Sequence, residues 1–314
     1  MENPVLIKEG ISLTNWTTFR IGGPAKHWTI VKNIKEFKKI IEWINRNGID
    51  YFILGGGSNV LINDQGFNGI VIKNEIDTVE ILKKGSKTTQ ILAGSGTNLS
   101  KLIKFSLRNN LSGLEYLVGI PGTVGGAVFG NAEAYGRCFG NVVKEVKAIN
   151  IRQGTTKNFS LKELNFSYRN SFFKKNSGWF IGEVKIELFN DNSEQSRKIA
   201  ERILAERKQK IPDGFSAGCI FKNYQLKERD PLLKKFPEMA EKTKKGKIST
   251  GYLIEKAGLK GKKINQAIIS PQHANFIINL GGAKFEDIRQ LINLIKQEVY
   301  DKFGIEIEEE IKIY

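Results

Sequence analysis

"YFILGGGSNVLI", residues Tyr51 to Ile62, is a short apolar run that goes straight into three glycines and then turns apolar again. A strand, a glycine turn and a renewed apolar segment make a loop held by rigid neighbours, where backbone can approach a ligand closely. Upstream, "IKEFKKIIEWINRNG" sets Ile34, Phe37, Ile41 and Ile44 at helical spacing and stops at Asn47-Gly48, a suitable C-terminal cap. Downstream, "GIVIKN", "TVEILKK" and "TQILAG" read as further short strands, and "TNLSKLIKFSLRNN" as a helix that begins at Thr97.

The second half has the same mixed character. "SEQSRKIAERILAERKQK", Ser193 to Lys210, is a charge-laced helix ended by Ile211-Pro212, and the Pro-Asp-Gly that follows is turn chemistry, so a domain boundary is expected there. "KFEDIRQLINLIKQEVYDKFG" carries Ile288, Leu291, Ile292, Ile295 and Val299 on one helical face. The tail "IEIEEEIKIY" alternates Ile305, Ile307, Ile311 and Ile313 against Glu306, Glu308 and Glu310, which predicts a C-terminal strand with a carboxylate face. Helices mixed with short strands over 314 residues imply an α+β protein of two or three units.

Composition narrows the function classes. Hydrophobic content of 40% and charged content of 26% suit a soluble globular protein. The start "MENPVLIKEG" lacks a basic-then-apolar leader and no apolar run is long enough to span a bilayer, so a cytoplasmic, non-membrane protein is expected. Cys138 and Cys219 make no disulfide framework, and with only His27 and His273 beside them no metal site is expected. The formal charge of +16 attracts polyanions of any kind. Runs such as "KTKKGK" lack interleaved aromatics for base stacking, which argues against nucleic acid.

Three glycine clusters occur: "GGGSN" at 55 to 59, "GSGTN" at 94 to 98 and "GIPGTVGGAVFGNAEAYG" at 119 to 136. None matches G-x-G-x-x-G before a helix or ends in Lys-Ser or Lys-Thr, so neither a Rossmann site nor a P-loop is supported. Each can form a nest of N–H groups for phosphate oxygens, and together they suggest a large phosphate-bearing cofactor. The stretch "SAGCIFKNY" puts Cys219 after a small, flexible run, where it is either a small buried hydrophobe or a reactive thiol.

"TTFRIGGPA", "LGGGSNVLI", "GLEYLVGIPGTVGGAVFGNAEAYG", "SYRNSFFK", "SAGCIFKN", "LIEKAGLKGKKI" and "FGIEIEEEIKI" together resemble the UDP-N-acetylenolpyruvoylglucosamine reductases, over nearly the whole chain. The direct run from "SYRNSFFKK" to "GWFIGEVKIEL" looks like the shorter second subclass of that family. The resemblance implies a two-subdomain FAD-binding unit of the vanillyl-alcohol oxidase and p-cresol methylhydroxylase type, plus a C-terminal α+β domain for a UDP-sugar. The expected limits are 1–73 for the first flavin subdomain, completed by a strand at 304–314, then 74–210 for the second and 211–303 for the substrate domain. Pro24 stands where relatives with covalent flavin carry histidine, so FAD is expected to bind non-covalently, with NADPH as co-substrate.

The same resemblance assigns roles by position. Arg169 and Glu310 would stabilise the enolate that forms on the substrate carboxylate, and Cys219 takes the place of the family's serine proton donor. Gly55, Gly56, Gly57, Ser58, Asn59, Ile120, Pro121, Gly122, Gly126 and Ala127 would hold FAD. Tyr135, Lys222, Asn223 and Lys260 would contact the UDP-sugar, while His273 is as readily structural. Tyr224 and Glu309 replace prolines frequent in the family, and Glu133 replaces a glycine. A monomer acting without nucleic acid is expected; the alternatives are a flavin-dependent alcohol or sugar oxidase on the same fold, or a basic nucleic-acid-binding protein.

Overall fold

In a computed structural model of the chain, residues 5–191 and 193–314 are described. Residues 1–4, where the first expected subdomain begins, lie outside them. The chain divides into two units, one comprising the segment ending at Ile11 with Ala25–Gly56 and Phe67–Arg207, the other Ser12–Pro24, Gly57–Gly66 and Lys208–Tyr314.

Two larger sheets lie in the first unit. In one, the strands run in the order Lys8–Ser12, Pro24–Val31, Phe67–Asn74, Tyr51–Leu54, and the last three are parallel. A parallel pair needs a crossover, and the helix Ile34–Asn47 supplies it. Asn33 caps that helix by accepting from the Glu36 N–H, and Gly48 ends it at φ 59, a left-handed conformation that favours glycine. Its buried face of Phe37, Ile40, Ile41 and Ile44 packs with Ile70 and Ile72 of the sheet, and the Phe37 ring stacks on Phe180 at 3.6 Å between centroids.

The second sheet is antiparallel, ordered Thr156–Ser160, Val143–Asn150, Trp179–Asn190, Thr88–Gly94, Val79–Lys84. In the central Trp179–Asn190 strand Val184, Ile186 and Leu188 are fully buried and the residues between them are not, the two-residue period of a half-buried strand. The helices Leu99–Arg108 and Val124–Gly130 contribute Leu99, Leu102, Val124 and Val128 to its core. The first of these starts later than its sequence suggests. Asn98, not Thr97, is the cap, accepting from the Ser100 N–H, while Thr97 is fully buried and its hydroxyl donates to the Thr78 carbonyl at 3.1 Å.

The second unit is built on the helix Phe285–Phe303, whose Ile288, Leu291, Ile292, Ile295 and Val299 are all completely buried. Each such side chain contributes about 2 kcal/mol of apolar burial. Its partners are a three-stranded antiparallel sheet, Lys263–Ile264, Ala267–Ile269 and Ile277–Asn279, and Phe19, Ile21 and Leu61 from distant parts of the chain. The tail is not the continuous strand expected over 304–314. Only Lys312–Ile313 pairs, in parallel with Val60–Leu61, and Glu309 forms a single bridge to Phe221. The alternation itself holds, since Ile305, Ile307 and Ile311 are buried and Glu306 and Glu308 exposed.

Candidate functional site

The first unit carries a surface of bare backbone. Its two long glycine loops pack directly on one another: a Cβ on Gly56 would lie 2.8 Å from the Gly122 Cα, and one on Gly55 would lie 2.7 Å from the Thr123 hydroxyl. Lys73 reinforces the contact by donating to the Gly55 carbonyl at 2.5 Å, and burial pushes its ammonium below the usual lysine range, against an opposing pull from Glu75. Thr123 caps the Val124–Gly130 helix by accepting from the Gly126 N–H.

Gly126 differs from these close-packed glycines. It is exposed, and a Cβ there would meet only the Thr123 hydroxyl, at 3.6 Å. No packing requires glycine at that point, so the position is open to close approach from outside the chain. Exposed Gly56, Pro121 and Gly126 on two loops that fit backbone to backbone make a cradle suited to a large phosphate-bearing cofactor. Ile120 and Gly122 belong to it, and Ala127 is buried just behind. The third cluster, 94–98, plays a supporting part. Gly94 and Gly96 pack against the Ile76 backbone, and Ser95 and Thr97 accept from the N–H groups of Gly125 and Val124.

The opposite end of the same short helix, about 10 Å away at 1.5 Å per residue, anchors Arg169. Ser167 and Asn170 exchange backbone hydrogen bonds at 3.1 Å, closing a turn with Arg169 at φ 52. Asn131 donates to the Ser167 carbonyl and Ser171 to the Phe129 carbonyl, which pins that turn to the helix terminus. Tyr135 and Gly136, at φ 52 and 76, form the two-residue tip between Glu133–Ala134 and Arg137–Cys138, a turn that normally takes Asn-Gly. An arginine and a tyrosine in left-handed backbone mark places where side-chain identity outweighs local preference.

Tyr135 is half-exposed. Its phenol pKa is raised by partial burial and by a hydrogen bond to Glu206, with Arg207 and Arg202 acting against this. Arg207 also donates to the Gly119 carbonyl at 3.4 Å, beside the cradle. Glu133 has no positive φ, so the glycine it replaces is not needed for the turn; it stands opposite Cys138 and lines a cavity of about 580 Å³ with Asn131 and Tyr168.

In the second unit Gly57 is at φ 65, and a Cβ there would fall 1.9 Å from the Trp16 carbonyl. Beyond half-buried Ser58, Asn59 is committed to the C-terminal segment: its amide donates to the Glu310 carbonyl at 3.2 Å, and its own carbonyl accepts from the Lys312 N–H. Cys219 is half-buried and forms a backbone bridge to Phe276. The next residue, Ile220, accepts from the Glu310 N–H at 2.7 Å, and the Lys222 N–H donates to the Glu308 carbonyl at 2.9 Å. Cys219 and Lys222 therefore lie on a segment that runs beside the one carrying Glu310. Phe221 is opposite Glu309, so Lys222 shares a face with Glu308, and the two form an ion pair. Glu309, on the other face, pairs with Lys296 at 3.1 Å.

Asn223 accepts from the Thr250 N–H, fixing it at the start of the Thr250–Lys256 helix. Lys260 pairs with Glu255 at 2.9 Å. Nearby, the His273 ring packs 3.2 Å from where a Gly251 Cβ would stand, and its Nδ1 accepts from the Asn275 N–H. Burial pushes the His273 pKa below the usual histidine range, Lys260 adding to this and Glu255 opposing it. Tyr224 is accommodated in a two-residue pairing with Ile248, where its hydroxyl donates to buried Asp230 and its pKa rises to about 12 through burial and that bond.

Sequence reading missed Asn275, Glu206 and Thr250. Each acts by a hydrogen bond to a segment far away in sequence, and none lies in a recognisable pattern. Arg169 and Tyr135 belong to the first unit, and Cys219, Lys222, Asn223, Lys260 and Glu310 to the second.

The cradle suits a phosphate-bearing cofactor, and residues 25–160 match the family described as FAD binding domain, which makes the protein a flavoprotein. Residues 209–314 match the family described as UDP-N-acetylenolpyruvoylglucosamine reductase, C-terminal domain. A UDP-N-acetylenolpyruvoylglucosamine reductase of Chlamydia muridarum is 38% identical over 99% of this chain and 95% of its own; one from Anoxybacillus flavithermus is 35% identical over 98% and 94%. The crystal structure of the corresponding reductase from Thermus caldophilus superposes with a TM-score of 0.78 at 31% identity, covering 98% of this chain and all of that one. The chain belongs to the UDP-N-acetylenolpyruvoylglucosamine reductase family.

Proposed function

We propose that the protein reduces the enolpyruvyl ether of UDP-N-acetylglucosamine to UDP-N-acetylmuramate with NADPH, a step of peptidoglycan synthesis. Family membership over the full chain supports the reaction; the adjacent placement of Cys219, Lys222 and Glu310 is the observation that carries its assignment to residues. Gly55 and Gly56 with Ile120, Pro121, Gly122, Gly126 and Ala127 hold FAD non-covalently, and Gly57, Ser58 and Asn59 continue that loop. Held there, FAD would supply the hydride chemistry that links oxidation of NADPH to reduction of the enolpyruvyl group at its terminal carbon.

The chain's own residues manage charge and protons. The fixed fork of the Arg169 guanidinium engages the substrate carboxylate as it takes on enolate charge. Glu310, held through both its backbone N–H and its carbonyl, assists in stabilising the same charge. The Cys219 thiol stands in for a serine hydroxyl, a much weaker acid than a thiol, and gives its proton to the carbon beside the carboxylate. Lys222, Asn223 and Lys260 bind the anionic UDP-sugar, and Tyr135 approaches it. The substrate domain is placed at 211–303, and the protein acts as a cytoplasmic monomer, without nucleic acid or membrane; its nucleotide ligands are water-soluble polyanions that suit its excess of positive charge. No helix among the described residues is long and apolar enough to cross a membrane.

Incubation with 4-deuterated NADPH should place deuterium on the terminal carbon of the lactyl group, and reaction in heavy water should place it on the adjacent carbon. Alcohol oxidation by oxygen, with no UDP-N-acetylmuramate formed, would defeat the reading.

A further inference from the structure

One buried side chain clasps the segment that carries Cys219. Asn275 is 2% exposed and clasps two consecutive residues: its carbonyl accepts from the Ile220 N–H at 2.8 Å, its Oδ1 accepts from the Phe221 N–H at 2.9 Å, and its Nδ2 donates to the Phe221 carbonyl at 2.8 Å. Only a carboxamide offers a donor and an acceptor at that spacing.

The clasp is itself braced. His273 Nδ1 accepts from the Asn275 N–H at 3.3 Å, an i to i+2 bond like that of an Asx turn. Ser270 Oγ accepts from the Gln272 and His273 N–H groups, and Phe276, the bridge partner of Cys219, exchanges backbone bonds with His273 and Ser270. Ser270 is completely buried. The whole 270–276 turn is closed by hydrogen bonds around the point where it meets Cys219 and Phe221.

We propose that Asn275, braced by His273, is a positioning residue for proton transfer: its buried carboxamide fixes the Cys219–Phe221 backbone and so sets where the Cys219 thiol stands. This rests on Cys219 being the proton donor. General acids contribute about 10² to 10⁴ in rate and require hydrogen-bond reach of the reacting atom, so a loosened segment loses turnover without losing NADPH chemistry.

The test uses FAD-loaded protein and its two half-reactions. Asn275→Ala should bleach with NADPH at the parent rate, keep KM for the UDP-sugar and lose about 10²-fold in kcat; iodoacetamide should label its Cys219 faster than in the parent, with Cys138 as internal control. Should that variant fail to fold, the His273 pair decides. His273→Asn keeps an acceptor for the Asn275 N–H and should retain the rate, whereas His273→Gln places its acceptor too far out and should lose it. A folded Asn275→Ala at parental kcat, or equal rates in the two His273 variants, overturns the inference. If Cys219→Ala is itself fully active, the donor reading fails instead; if Cys219→Ala is slow while Asn275→Ala is not, only the positioning role fails.

Discussion

Replacing Gly126 with alanine should make the protein without cofactor more stable and the holoenzyme weaker. Gly126 lies in the first turn of the Val124–Gly130 helix, is exposed, and has only the Thr123 hydroxyl at 3.6 Å near the site of a new Cβ. Alanine is favoured over glycine in a helix by roughly 0.5–1 kcal/mol. No neighbour resists the methyl, so the apo-protein should melt about 2 °C higher, the shift that such a gain gives in a large domain. If the open space is the cofactor's, the methyl stands against FAD and costs at least about 1.4 kcal/mol, tenfold in Kd. Differential scanning of the apo-protein and fluorescence titration with FAD read the two effects separately. Gly125→Ala is the control: its methyl would meet Ser95 Cβ and carbonyl oxygen at 2.9 Å, so it should lower stability as well as affinity. A Gly126→Ala protein that binds FAD as tightly as the parent would refute the cradle.

Other consequences are as specific. Gly57→Ala forces a Cβ to within 1.9 Å of the Trp16 carbonyl at φ 65 and should cost at least about 3 kcal/mol, visible as a large drop in denaturant midpoint. Cys219→Ser should keep most of the turnover and abolish inactivation by iodoacetamide, whereas Cys219→Ala should slow the substrate half-reaction by about 10² to 10⁴ and leave bleaching by NADPH intact. His273 titrates lower folded than unfolded, so below pH about 6.5 the unfolded chain takes up a proton that the native state refuses. Its contribution is complete above that pH and lost as pH falls toward the folded pKa; in chemical denaturation between pH 7 and 5, His273→Asn should flatten the acid limb of stability.

Local pattern carried most of the fold. The helical spacing of Phe37, Ile41 and Ile44 with Gly48 behind it, and the five buried apolar residues of the Phe285–Phe303 helix, stand as read. Thr97 misled because two good capping residues stand side by side, and tertiary bonding of Thr97 to Thr78 left the cap to Asn98. The tail misled in a different way: its alternation specifies a face, but only Glu309, Lys312 and Ile313 find a strand or bridge partner.

The candidate site was legible where it depends on residue type and not where it depends on distant partners. The "GGGSN" and "GIPGTVGG" runs announce close backbone approach, yet only the structure separates Gly55 and Gly56, which pack on the other loop, from Gly126, which faces open space. Asn59, at the end of the first glycine run, is also bonded to Glu310, 251 residues away, which no local pattern announces. Asn275 carries no motif for its part in holding the Cys219 segment, because that part lies in hydrogen bonds to residues more than fifty positions earlier.

In the proposed reaction one flavin serves two substrates in turn, which anaerobic absorbance spectroscopy can follow in a single sample. NADPH should bleach the flavin band of the purified, FAD-loaded protein, and adding enolpyruvyl-UDP-N-acetylglucosamine should restore the oxidised spectrum in step with formation of UDP-N-acetylmuramate. A protein that takes up no FAD, or whose reduced flavin persists in the presence of that substrate, would contradict the account.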